Sequence, residues 1–248
     1  MHRFFAEPGQ ISDNRVVLTG PEIRHARTVL RLKAGECVEV LDGQGGRYEV
    51  CLTRVRKDRV EGEIQSRRSP AGPRPLDIRM GLALLKGKAF ENVLRQAVEL
   101  GVGAVTPVLT ERCVSRWDER RARERLDRWR AIAREAAKQC GQVYLPRLEA
   151  MQSLEKFCED NQGADLRLMF WEEEKQRSFQ DWTPEKPPAS VAFLSGPEGG
   201  FAPSEVERAR QYGFVSLSLG PRTLRAETAP SVILSLIQFR WGDLGAAP

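Results

Sequence analysis

At 248 residues the chain has room for one large domain or two modest ones. With 41% apolar and 29% charged residues it can bury a core and is too apolar for intrinsic disorder. A net charge of +5 leans toward polyanionic partners, and two histidines, His2 and His25, supply histidine-led metal or triad chemistry poorly. Five cysteines without CxxC spacing argue against a disulfide framework or zinc site and point to a reducing cytoplasm. The start MHRFFAEPGQ carries no apolar signal core, and the longest apolar run, SVILSLIQF, falls far short of the ~20 residues that span a bilayer.

In chain order, the first helix is PEIRHARTVLR. Pro21 suits its first turn, and Ile23, Ala26, Val29 and Leu30 are expected on its inner face. The alternating runs ECVEVLDG, RYEVCLTRVR and VEGEIQS follow, divided by the turn-rich DGQGG. Together they predict a small β-barrel of about seventy residues. The stretch SRRSPAGPRP, residues 66–75, marks a domain boundary, because prolines and glycine there forbid helix or central strand.

Beyond it strand LDIRMGLALL leads into helix KAFENVLRQAVELG, with Phe90, Val93, Leu94, Ala97 and Val98 at helical spacing. Strand AVTPVLT and a helix from about Asp118 to Cys140 come next. DLRLMFW and SVAFLS read as strands, SEVERARQYG as a helix, FVSLSLG as a strand, and a last helix closes the chain. Strands alternating with helices predict a mostly parallel α/β sheet.

Chemistry concentrates at the exits of two strands expected to be neighbours. GPEGGF follows SVAFLS; its glycines let backbone approach a ligand, and Ser204 and Glu207 have the spacing of a capping box. LGPRTLRAETAP follows FVSLS and places Arg222, Arg225, Glu227 and Thr228 at the exit, where loops use such residues on a polar ligand or an interface. Thr228 also suits an N-cap. The two loops are expected to form one cofactor crevice.

Arg120, Arg123, Arg130 and Arg134 recur at spacings of three and four and form a basic stripe, opposite Trp129, Ile132, Ala133 and Ala136. Arg24, Arg27 and Arg31 are expected to share one face of the first helix. Each stripe is either a solvated face or a set of phosphate contacts. Cys140 has no activating base nearby and reads as a packing residue rather than a nucleophile.

Over its whole length the chain resembles the bacterial enzymes that methylate N3 of a uridine in 16S ribosomal RNA, members of the SPOUT superfamily. The matching stretches are HARTVLRLKAGE, KGKAFENVLRQAVELGV, TPVLTERC, AAKQCGQ, SGPEGGF and LGPRTLRAETA. Lys138 and Gln142 stand where that family usually has an acidic and a basic residue, and Pro230 where a small one is usual. The resemblance implies a PUA-like RNA-binding barrel over residues 1–72 and a knotted S-adenosylmethionine-dependent methyltransferase domain over residues 73–248. It also implies a cytoplasmic homodimer acting on 16S rRNA of the small ribosomal subunit, without metal or membrane. By the same resemblance Leu194, Gly196, Pro197, Glu198, Gly199, Gly200, Leu217, Leu219, Gly220, Leu224 and Thr228 hold S-adenosylmethionine. From the chemistry of N3 methylation Arg225 and Glu227 are the expected catalytic residues, and Arg24, Arg27, Arg31, Arg112, Arg120, Arg123 and Arg222 are the expected RNA contacts. Methylation of ribose 2′-oxygen or another base nitrogen, and a non-catalytic role in RNA binding or ribosome assembly, are the alternatives.

Overall fold

The protein is seen in a computed structural model that describes residues 1–68, 76–113, 119–182 and 184–246. The chain divides into two units, one of residues 1–73 with 134–145, the other of residues 74–133 with 146–248. Most of the expected linker, residues 69–75, and Asp118 lie outside the described residues.

The first unit is built on a five-stranded sheet of β1 (Arg3–Phe5), β2 (Arg15–Leu18), β3 (Cys37–Leu41), β4 (Arg47–Val55) and β5 (Val60–Arg68). The order is β1-β3-β4-β5-β2, antiparallel except for β1 beside β3, which makes a half-barrel. One face alternates inward: Val38 and Val40, Val50 and Leu52, and Val60 pack with Phe4, Val16, Leu18 and Ala26. Between β3 and β4, the Asp42 carboxylate accepts the N–H groups of Gln44 and Gly46 at 2.7 and 2.8 Å and fixes the turn.

The expected first helix is only partly regular. Helix α1 (Pro21–Arg24) widens into a π turn over His25–Val29, with the Leu30 N–H donating to the His25 carbonyl at 3.0 Å. The wider turn moves Val29 off the inner face: Ile23 and Ala26 are buried and Leu30 packs partly buried against the same core, but Val29 is 65% exposed. Arg31 lies past the helix at φ 55°, so Arg24, Arg27 and Arg31 do not share one regular face.

Residues 134–145 complete this unit. They include the end of α3 (Glu119–Cys140) and insert Lys138, which is buried. Its ammonium lies 3.3 Å from both Glu22 carboxylate oxygens, 3.2 Å from His25 Nδ1 and 2.7 Å from Glu135. Arg3 donates to the carbonyls of Lys138 and Gln139, and Arg134 pairs with Glu7 at 3.0 Å, so that member of the basic stripe holds the fold. Cys140 is exposed at the helix end rather than packed.

The second unit is a parallel sheet of β6 (Asp77–Ala83), β7 (Ala104–Leu109), β8 (Arg147–Leu148), β9 (Gln152–Ser153), β10 (Leu166–Phe170), β11 (Ser190–Ser195) and β12 (Val215–Leu217). The order is β12-β10-β11-β6-β7-β8, with β9 also on β7. Strands β11 and β12, expected as neighbours, instead flank β10. Helices α2 (Ala89–Glu99), α4 (Leu154–Asp160), α5 (Pro203–Gln211) and α6 (Ala229–Trp241) complete it with the first part of α3. The five expected apolar positions of α2 are buried, and Phe90 stacks on Trp129 with centroids 4.0 Å apart. Helix α5 begins a residue earlier than Ser204: buried Glu205, not Glu207, accepts the Ala202 N–H at 2.9 Å, while Ser204 donates to Glu111. Among the described residues, no helix is long and apolar enough to cross a membrane.

Candidate functional site

Because β6, β10, β11 and β12 are parallel, their carboxyl ends open on one edge of the sheet, the edge at which open α/β sheets receive ligands. Four loops leave that edge. The loops after β11 and β12 face one another across a cavity of about 590 Å³, within the range that encloses a cofactor-sized molecule. Phe170 at the end of β10, the strand between β11 and β12, and Trp171 and Glu172 just after it supply its wall.

The loop after β11 is held from two sides. Glu198 accepts the Lys86 N–H at 2.9 Å, joining it to the loop after β6, and the Gly199 carbonyl accepts from Arg112 at 2.9 Å. Gly200 has φ 68°, a left-handed conformation that favours glycine, and it brings the backbone close to the Glu172 carboxylate. In the loop after β12, Ser218 Oγ accepts the Gly220 N–H at 3.1 Å. The Arg225 carbonyl accepts the N–H groups of Thr228 and Ala229 at 2.8 and 3.0 Å and turns the chain into α6.

Ten of the expected residues line the cavity together: Gly196, Pro197, Glu198, Gly200, Leu219, Gly220, Arg222, Leu224, Arg225 and Glu227. Leu194 and Leu217 are fully buried within their strands, behind the lining. Gly199 is exposed and turned toward Arg112, where an added Cβ would meet the Arg112 Cβ at 3.1 Å. Thr228 sits at the N-cap position without capping through its hydroxyl, and lines an adjoining hollow with Glu227. Arg225 and Glu227 stand 4.0 Å apart, their side chains 86% and 46% exposed. At that exposure their attraction is weak, which leaves the guanidinium free to meet a ligand.

The expected RNA contacts are dispersed. Arg112 braces the glycine loop, Arg120 pairs with Glu124 at 2.8 Å, and Arg123 is exposed on α3. In the first unit Arg24 and Arg31 are exposed and Arg27 is half-buried.

Lining residues that sequence reasoning missed include Lys86, Trp171 and Glu172. Their signal is position: each follows the end of an apolar parallel strand, in LALLK and LMFWE. The indole Nε1 of Trp171 is buried and has no hydrogen-bond partner among the described residues. Such a donor on a cavity wall is suited to a polar atom of a bound molecule.

The family described as "RNA methyltransferase domain" matches residues 72–238, and the "RNA methyltransferase PUA domain" matches residues 18–65. The chain is 34% identical to Ribosomal RNA small subunit methyltransferase E of Synechocystis, over 95% of its own length and 77% of that relative. A Neisseria gonorrhoeae protein of the same name, solved bound to S-adenosyl methionine, is 31% identical with a TM-score of 0.86, over 98% of this chain and 99% of that one. A putative methyltransferase from Legionella pneumophila, solved with the cofactor SAM, is 32% identical with a TM-score of 0.87, over 96% and 97% of the two chains.

Proposed function

The chain belongs to the RNA methyltransferase family, and we propose that it transfers a methyl group from S-adenosylmethionine to N3 of a uridine in 16S ribosomal RNA of the small subunit. The observation that carries this reading is the cavity at the sheet edge, with Arg225 and Glu227 on its rim and glycine loops at its wall. Solved relatives of the same fold hold S-adenosylmethionine, and the cavity's volume and the orphaned Trp171 donor fit such a molecule.

When bound, S-adenosylmethionine supplies both the methyl group and its own leaving group. The protein's part is to hold, orient and manage one proton. The Gly196–Gly200 and Ser218–Leu224 stretches would hold the cofactor, and the Trp171 indole would be a hydrogen-bond donor for it. Holding two reactants in register supplies up to roughly 7–11 kcal/mol of a barrier. N3 attacks only as the imide proton leaves, so negative charge builds on the flanking uracil carbonyls. Arg225 stabilises that charge through its exposed guanidinium. Glu227 either takes the proton or steadies Arg225. The base must be unpaired or turned out, because N3 lies on its pairing edge.

Residues 1–72 serve in this scheme as the RNA-binding part and residues 73–248 as the methyltransferase part. The knotted topology, homodimer and cytoplasmic setting belong to the same reading. Calorimetry tests the cofactor half: the wild type binds S-adenosylmethionine, and Trp171→Phe weakens binding by roughly 3- to 10-fold, the worth of one hydrogen bond. A wild type that binds none, with its fold intact, removes the proposal.

A further inference from the structure

Cys37 on β3 and Cys51 on β4 are direct cross-strand partners. Their Sγ atoms lie 3.1 Å apart and both thiols are free. Cys37 is exposed and Cys51 half-buried, so small reagents reach the pair from solvent. Facing residues on antiparallel strands have Cα atoms about 4.5–5.5 Å apart, inside the window of about 4.4–6.8 Å that a disulfide accepts. Bond formation therefore asks the sulfurs to close by about 1 Å, to a bond of ~2.05 Å, without moving either strand.

We propose that Cys37 and Cys51 form a reversible modification site: a dithiol in the first unit that hydrogen peroxide converts to a cross-strand disulfide. One thiolate attacks a peroxide oxygen, the O–O bond breaks, and a sulfenic acid and water result. The second sulfur then displaces the sulfenic oxygen as water while the S–S bond forms. The two sulfurs give up two electrons, peroxide takes them, and both thiol protons end in the two waters.

Cys51 and Glu49 stand beside Cys37 and raise its pKa, with the contact to Cys51 the largest cause. Cys37 therefore holds its proton more tightly than an ordinary thiol, which slows its attack on peroxide. The bond closes a short loop across the Asp42–Gly46 turn, which restricts the unfolded chain and raises thermal stability by several degrees.

The first arm of the test uses the full wild-type chain. The protein is treated with hydrogen peroxide, its remaining thiols are alkylated, and it is digested with trypsin without reductant. The expected product is Ala34–Arg47 linked to Tyr48–Arg54, lost on reduction, with a matching reversible rise in Tm. Phenylarsine oxide, which bridges paired thiols with loss of water, should bind the untreated protein and fail to bind Cys37→Ser. Recovery of both peptides alkylated after treatment that oxidises the other cysteines, or linked only between molecules, overturns the proposal.

Discussion

At the residue scale, Arg225 and Glu227 carry the proposed chemistry, and their weak mutual contact lets each be tested alone. Arg225→Ala should slow single-turnover methyl transfer by about 10²-fold or more, the loss typical of one preorganised donor. Calorimetric affinity for S-adenosylmethionine should stay near wild type. Glu227→Gln distinguishes two roles. If Glu227 takes the imide proton, the rate falls steeply and recovers partly as pH rises, because solvent then removes the proton. A pH-independent loss assigns it to steadying Arg225. Normal turnover with a lowered Tm would end both roles.

Lys138 makes a second residue-scale case. Its side chain is 6% exposed and that of Glu22 5%, so the buried Glu22 carboxylate is compensated by Lys138, which is itself also paired with Glu135 at 2.7 Å. Burial raises the Glu22 pKa above its ordinary value of 4.5, while Lys138 holds it down. A raised carboxyl pKa contributes stability below the ordinary value and loses it as pH climbs through the raised one. Lys138→Met removes the cation and keeps the apolar stem, stranding Glu22. Denaturant melts should show a loss of about 3–5 kcal/mol at neutral pH. The loss should shrink in acid, where Glu22 is protonated. An equal loss at both pH values would mean that Lys138 acts by packing alone.

At the element scale, helices α2 and α5 and strands β6, β7, β10 and β11 were legible because long apolar periodicities are set by burial. Phe90 to Val98 on α2 repeat every three or four residues, and VAFL on β11 is apolar throughout. Strands β1 and β2 were not, because three or four residues such as RFF carry no period, and β1 is recruited only by β3, over thirty residues on. The short α4 escaped for the same reason. The π turn at His25–Val29 was invisible too, since one regular repeat places Val29 inward and only tertiary context widens the turn. The candidate site was half legible. Its two loops announce themselves by glycine, proline and charge, but Trp171 and Glu172 belong to it only because β10 lies between β11 and β12.

The cap of α5 gives an element-scale prediction. The buried Glu205 carboxylate accepts the N–H groups of Ala202 and Glu111, both at 2.9 Å, joining the exit of the glycine loop to the chain after β7. Glu205→Ala should leave these donors unpaired and lower stability by about 1–3 kcal/mol each at most. Glu207→Ala, an exposed change whose ion pair with Arg210 is long at 3.7 Å, should alter it by under about 0.5 kcal/mol. Equal midpoints in urea for the two variants would contradict this assignment of the cap.

At the scale of the whole molecule, each unit has its own core, and the methyltransferase reading needs both, one for the reaction and one for RNA. If the exposed Arg120 and Arg123 of α3 meet phosphate, each lost contact should reduce the slope of log K against log salt by about 0.7–0.9. An Arg120→Ala/Arg123→Ala protein with an unchanged slope would return that stripe to solvent. The central claim is that the cavity delivers a methyl group to N3 of a uridine in small-subunit RNA. It is tested most directly by incubating the protein with labelled S-adenosylmethionine and small ribosomal subunits lacking the modification, digesting the RNA, and identifying the labelled nucleoside by mass spectrometry. The account predicts N3-methyluridine, nearly absent with Arg225→Ala. Label on a ribose or on another base nitrogen, or RNA without label although the cofactor binds, would contradict it.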